Sequence, residues 1–257
     1  MAHPSQEIDA APAATTEPHW LLTVGAPLGL FVACYVFAIW SELTAKHLHT
    51  ELIYAEGGLL ETAQIVVAAV ALGLAVAILR DDRARAQAGL TVWAVMLCLG
   101  TFYIVGEETS WGQTFAKWRT PDWLAEINDQ QESNIHNISS WFDQKPRLLL
   151  ELAIVFGGIL HPLLCRLRGR GLLDRPWWLM PTGAGLVTAV LAELTIIPGR
   201  LVELGVMARS ASFELAGRVH EVSFLILRDS ELQEMYFYYF ILLYVLVLRR
   251  RLRAVDG

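Results

Sequence analysis

The sequence predicts an all-α, polytopic membrane bundle of about six transmembrane helices, with amphipathic helices lying on its outer interface. Three observations lead there. Apolar residues make up 54% of the 257, and mean hydropathy is +0.42, above the usual range for soluble domains. Six apolar runs approach the ~20 residues a helix needs to cross a hydrocarbon core of about 30 Å. Three arginine clusters each follow one of those runs.

The runs are 20–40, 58–79, 89–106, 148–165, 177–197 and about 233–248. The third and sixth are short, and the polar stretch before the sixth is expected to lengthen it. Trp20 and Trp40 bracket the first run and Trp177-Trp178 open the fifth, as expected of rings anchored at headgroup level. Residues 20–253 thus form one membrane domain. Residues 1–19, rich in Ala, Pro, Thr and acidic side chains, read as a disordered cytoplasmic tail, and 254–257 as a short C-terminal tail.

The clusters Arg80-Asp81-Asp82-Arg83-Ala84-Arg85, Arg166-Leu167-Arg168-Gly169-Arg170 and Arg249-Arg250-Arg251-Leu252-Arg253 are separated by pairs of crossings, so they share one side. By the positive-inside rule that side is cytoplasmic, with both termini inside. Ten of the 20 Lys/Arg residues lie in these clusters, and Arg175, in the short connection after the second, makes eleven on that side. The expected location is the plasma (inner) membrane, with the chemically interesting residues facing the periplasm or exterior. A net charge of −6 argues against nucleic acid as a partner; the partner is the bilayer. Cys34, Cys98 and Cys165 sit in or at the ends of runs and offer no CxxC pair, which marks them as packing residues. Gly100, Gly106, Gly157 and Gly158 read as small-residue helix contacts.

The outer connections are long and patterned. After Thr120-Pro121-Asp122, residues Leu124, Ile127, Ile135, Ile138 and Phe142 recur at near-helical spacing until Lys145-Pro146. This predicts one or two interfacial amphipathic helices ending there. Leu215, Val219, Val222 and Leu225 predict another over Phe213–Arg228.

Carboxylates gather at the outer ends of the runs: Glu61, Glu107-Glu108, Glu151, Glu193, and Glu231 with Glu234. Charges at that depth turn toward the bundle interior or pair with cations such as Arg147 and Arg200. Glu132 and His136 lie four apart, on one face of a helix if one forms, with Asn134 and Asn137 placed to orient them. That spacing suits a shared metal ion or a carboxylate that fixes an imidazole tautomer. His220 beside Glu221, and His47 with His49, are weaker signals, and His161 before Pro162 belongs to the opposite end of its helix. Pro162 predicts a kink. No HExxH, GxSxG or phosphate-binding glycine loop is present.

Gly106-Glu107-Glu108-Thr109-Ser110-Trp111-Gly112-Gln113, followed by Asn128, Gln130, Glu132, Asn134, His136 and Asn137, resembles an uncharacterised family of bacterial multi-pass membrane proteins. Glu56-Gly57-Gly58-Leu59-Leu60-Glu61 is similar to that family's acidic-glycine segment, with Gly57 where Asp is expected. The resemblance covers about Glu56–Asn137 and implies a shared outer site without naming a reaction. More loosely, the Glu-Glu pair is similar to that of CAAX-type intramembrane metalloproteases, but Trp111 stands where their Arg would. Glu132 and His136 are spaced one residue wider than the Glu-x-x-His of di-iron carboxylate bundles. Alkaline ceramidases place a metal among membrane helices with more histidines than this chain's spans hold.

Two functions from different classes fit these residues. One is a metal-dependent, hydrolase-like enzyme acting on a lipid, lipid-linked or membrane-peptide substrate. Glu107, Glu108, Glu132 and His136 would hold a divalent ion (Zn, Mn or Fe), and Glu61 or Glu234 would act as base. The other is a transporter or membrane-complex assembly subunit whose buried carboxylates handle ions or hold helices together, with Pro198-Gly199 as a break near a span end. Oligomeric state is not legible.

Overall fold

A computed structural model describes residues 17–44, 48–53, 57–128, 133–134, 140–173, 175–215, 217–223 and 229–254. Six helical segments are long and apolar enough to cross a membrane: Leu21–Leu43, Leu59–Leu79, Ala88–Glu108, Lys145–Arg168, Gly183–Glu203 and Ser230–Arg253. The first span is a wide π turn, Leu21–Gly25, leading into α1 (Ala26–Leu43). α2 (Leu48–Leu52) caps its far end, α3 (Leu59–Leu79) is the second span, and α4 (Asp82–Arg85) is a short turn before the third, α5 (Ala88–Glu108). Two more short turns, α6 (Gln113–Ala116) and α7 (Asp122–Ala125), follow. The fourth span joins α8 (Ser140–Ala153), a π segment at Ile154–Leu160 and α9 (His161–Arg168). α10 (Leu186–Glu203) and α11 (Asp229–Arg253) are the fifth and sixth.

The π turns sit where prolines demand them. Pro27 and Pro162 each stand at the start of the α-helix that follows a π segment, and a proline has no N–H for the preceding turn. In the π register the group left unserved by Pro27 is the Leu22 carbonyl, which accepts the Tyr239 hydroxyl at 2.8 Å instead. The kink expected at Pro162 takes this π-helical form. Pro146 and Pro198, by contrast, do not end their helices: both lie inside, in α8 and α10. A backbone that enters lipid has no other donors to turn to, so the helix continues past the proline.

α11 is the central post. It packs against α3 and α10, α3 also packs against α5, and α1 lies against α10. In its apolar window 61% of residues are buried, against 17–33% in the other five spans. The other spans therefore keep large apolar residues outward, among them Val32, Val66, Val92, Leu99 and Phe156, as lipid contact requires. One half of the core gathers Cys34, Ala38, Leu60, Ile154, Ala192, Leu232, Tyr236 and Phe240. The other gathers Ala75, Ile78, Leu90, Ala94, Val245 and Leu248. Because the spans alternate in direction, the start of α3, the end of α5, the start of the fourth span, the end of α10 and the start of α11 share one end, the carboxylate end. Arg80–Arg85, Arg166–Arg170 and Arg249–Arg253 mark the opposite, arginine end.

Several expectations need correction. The fifth span begins at Gly183, not 177: Pro181 precedes it, and the Thr182 side chain caps it by accepting from Ala184 N at 3.3 Å. Trp177 is consequently no headgroup anchor but a buried ring, 5% exposed. The third and sixth spans reach 21 and 24 residues. The segment expected as an amphipathic helix at Phe213–Arg228 contains an antiparallel hairpin, β1 (Ser210–Leu215) with β2 (Arg218–Ser223), in register from Ser210↔Ser223 to Leu215↔Arg218. Gly217, at φ +74°, turns the chain between them, and β-branched Val219 and Val222 suit extended backbone. Of the one or two amphipathic helices expected after Pro121, the described residues hold the single turn α7 and a helix that starts at Ser140 and runs into the fourth span. Residues 129–132 and 135–139 lie outside the described part.

Small residues let α11 approach its neighbours. A Cβ on Gly158 would stand 2.6 Å from the Phe240 ring, and one on Gly185 2.5 Å from it. Gly157 meets Pro181 similarly, whereas Gly100 faces open space and is no helix contact. Gly158→Val is expected to cost about 1–3 kcal/mol through overpacking. Phe240→Leu in the same chain should recover part of that loss, a compensation read from thermal melts in detergent.

Candidate functional site

The site grows from the end of α5. Gly106 has no Cβ because the Trp111 ring lies where one would be, at 2.9 Å. To fold back there, the chain turns through left-handed conformations at Ser110 (φ 46°), Trp111 (φ 56°) and Gly112 (φ 100°). For the two L-residues this strain is of order 1–3 kcal/mol each. The ring packs edge-on to Phe102 and Tyr103, and its Nε1–H donates to Glu107 Oε1 at 2.7 Å. Gly106, Glu107, Trp111 and Gly112 are thus one device: a tight turn that clamps a buried carboxylate.

The rest of the motif braces the segment beyond it. Gln113 Nε2 donates to the Trp118 carbonyl and Thr120 Oγ1, while its Oε1 accepts from Ser133 N at 2.7 Å. Trp118 Nε1 donates to Ser133 Oγ. Asn128 Nδ2 donates to both oxygens of Asn134, and both asparagines are buried. Asn134 is therefore locked into a loop scaffold. Glu132 and His136, the other half of the expected metal set, lie outside the described residues, as does His47; the His220 side chain is likewise not described.

Between α5, the fourth span and α11 runs a cavity of about 610 Å³. Its wall is apolar along most of its length, with Leu97, Ile104, Leu150, Phe156, Phe237 and Ile241 among the lining residues. At one end the lining becomes Glu107, Glu108, Arg147, Glu234 and Tyr238. At the other, Trp93 donates to Tyr244, whose hydroxyl donates to the Trp178 carbonyl.

The structure thus brings together three of the predicted site residues, Glu107, Glu108 and Glu234. Tyr238 donates to Glu108 Oε1 at 2.7 Å. Arg147 bridges the fourth span to α11, with Nη1 3.0 Å from Glu234 Oε1 and Nη2 2.6 Å from Gln233 Oε1. Glu61 accepts from Gly57 N at 2.7 Å as α3 begins, and is not part of the cavity wall. Glu151 pairs with Arg200 at 3.2 Å, and the Glu231 backbone carbonyl accepts from Gln64. His49, which showed no partner in sequence, is buried against Ser41 Oγ and lies 3.5 Å from Glu42.

Tyr238 is the residue of this candidate site that pattern reading missed. Its signal was present: it stands four residues after Glu234, one helical turn along the same face. Chemically, the polar end offers a carboxylate held by a phenol, a second held by an indole, and a third beside a guanidinium. No group of three or more His, Cys, Asp and Glu side chains set to hold a metal ion occurs among the described residues.

Trp111→Phe keeps an aromatic, though smaller, ring and removes the donor to Glu107. It is expected to cost about 1.5–3 kcal/mol, the range for a hydrogen bond to a charged group, measured as lost thermal stability in detergent.

In comparisons with known proteins, no family model, curated protein or solved structure matches this chain.

Proposed function

We propose that this is an integral membrane, hydrolase-like enzyme whose substrate is amphipathic: a lipid, a lipid-linked molecule or a membrane peptide. One observation carries the proposal, the cavity of about 610 Å³ whose apolar shaft ends at Glu107, Glu108, Arg147, Glu234 and Tyr238. The space is open on its flank, where Met96, Leu149 and Phe156 are exposed, so its lining atoms lack dispersion contacts from the protein itself. An acyl or prenyl chain restores those contacts, and its polar linkage then meets the carboxylates. With both termini cytoplasmic, as the arginine clusters imply, that linkage sits toward the outer leaflet.

In this reading Arg147 orients the polar group, Glu108 or Glu234 takes the proton from water, and the Tyr238 hydroxyl donates toward the leaving oxygen. Glu107 and Glu108, with Glu132 and His136, are the residues that would hold a divalent ion to lower the pKa of bound water. Glu61, at the head of α3, remains an alternative base only if that helix start turns toward the site.

A second reading rests on the pairing itself. Tyr238 with Glu108 and Arg147 with Glu234 each tie α11 to a neighbour, which is what a transporter or assembly subunit would need from buried carboxylates.

The test is the content of the purified protein. Gly100 lines the cavity and a Cβ there meets nothing within 4 Å, so Gly100→Leu fits and fills the space. Native mass spectrometry should find an amphipath retained by wild type and by Glu108→Gln, and lost from Gly100→Leu. Equal retention in Gly100→Leu sinks the substrate-site proposal. A near-stoichiometric transition metal lost from Glu108→Gln and His136→Ala supports the metal. Its absence after reconstitution with Zn²⁺, Mn²⁺ or Fe²⁺ removes the metal and favours the second reading.

A further inference from the structure

A second cavity of about 350 Å³ opens at the arginine end, between the end of α9, the segment before α10, and the end of α11. Arg166, Arg251, His161, Trp177 and Thr182 line it, and among the described residues no Asp or Glu does. Arg251 is fixed in place: its guanidinium lies 4.8 Å from the Trp177 ring centroid, and Nη1 donates to the Trp177 carbonyl at 3.0 Å. Its other nitrogens have no hydrogen-bond acceptor among the described residues. Glu17 acts on Arg251 electrostatically from outside the lining.

Arg166 comes from the opposite wall, near enough that a Cβ on Gly183 would stand 3.4 Å from its Nη2. It makes no hydrogen bond or ion pair among the described residues. His161 adds no charge-bearing donor, since Nδ1 accepts from Leu172 N at 3.1 Å and Nε2 faces Cys165 Sγ at 3.6 Å. Thr182 Oγ accepts from Ala184 N, which leaves its hydroxyl proton to donate. Gly183 begins the turn into α10, so the positive end of a long helix is at the rim.

Two guanidiniums thus line one concave space to which no described residue contributes a carboxylate, a setting that favours an anionic guest. Planar forks with several unused N–H groups match an oxygen-rich, multiply accepting anion. We propose that this pocket binds a phosphate group. A cationic pocket between spans at a membrane surface fits the phosphate of an anionic phospholipid headgroup; inorganic or other soluble phosphate shares the chemistry.

The test uses the full chain in detergent. Phosphatidylglycerol is titrated by native mass spectrometry beside diacylglycerol, which lacks the phosphate, and inorganic phosphate is titrated by thermal shift. Wild type is expected to bind phosphatidylglycerol over diacylglycerol. Arg166→Ala should weaken that binding about tenfold or more with an unchanged lipid-free Tm, because no partner among the described residues is lost, and Arg166→Lys should retain most of it. Arg251→Lys should also weaken it, through loss of the fork. If inorganic phosphate raises the Tm of wild type but not of Arg166→Ala, and displaces the lipid, the site stands and soluble phosphate is its ligand. Equal binding of the two lipids, or wild-type binding by both Arg166→Ala and Arg251→Lys with no phosphate-induced shift, overturns the proposal.

Discussion

Helices already inside lipid gain nothing further from hiding apolar surface from water, so close packing and polar contacts must hold them together. In this bundle both are concentrated on α11. Phe240 sits where Gly158 and Gly185 make room, and four tyrosines reach outward from the same helix. Tyr236 and Tyr239 donate to carbonyls of the first span, Tyr238 to Glu108 on α5, and Tyr244 to Trp178 ahead of α10. A phenol suits this work because its ring packs as a hydrophobe while its tip remains a donor. The other spans are arranged around these handles, with α3 packing on α5 and α1 on α10 as well.

That arrangement explains why space is left between α5 and the fourth span. α11 contacts both sides of the gap, so neither side needs to close it. At the polar end the gap meets three carboxylates, and the turn at Ser110–Gly112 supplies the constraint that keeps Glu107 there. The strain in that turn is offset by the Trp111 ring contacts and its bond to Glu107. Fold and site are therefore not separable at this end of the molecule.

Much of the architecture was legible because lipid imposes it. Apolar runs and arginine clusters located all six long helices, and the acidic groups at one end were visible from their positions alone. What misled was local. Trp177-Trp178 looked like a span start because the pair is apolar, although Pro181-Thr182 carried the real cap. Leu215, Val219 and Val222 recur at helical intervals, yet paired strands about Gly217 won over that spacing. Pro146 looked like a stop, but the apolar run after it continues the helix. In the site, Glu107, Glu108 and Glu234 could be named from sequence, while Glu61 could not be separated from them without knowing which way each helix start faces. The cavity itself has no sequence signature, since it is a set of contacts not made.

Met180 and Pro181 line both cavities. The carboxylate-ended shaft and the arginine pocket are thus two rooms with one partition. A guest on either side that presses on this partition changes the shape offered to the other. By thermodynamic linkage any such effect is mutual and equal in binding free energy, so two ligands, one at each end, would be coupled through this dipeptide.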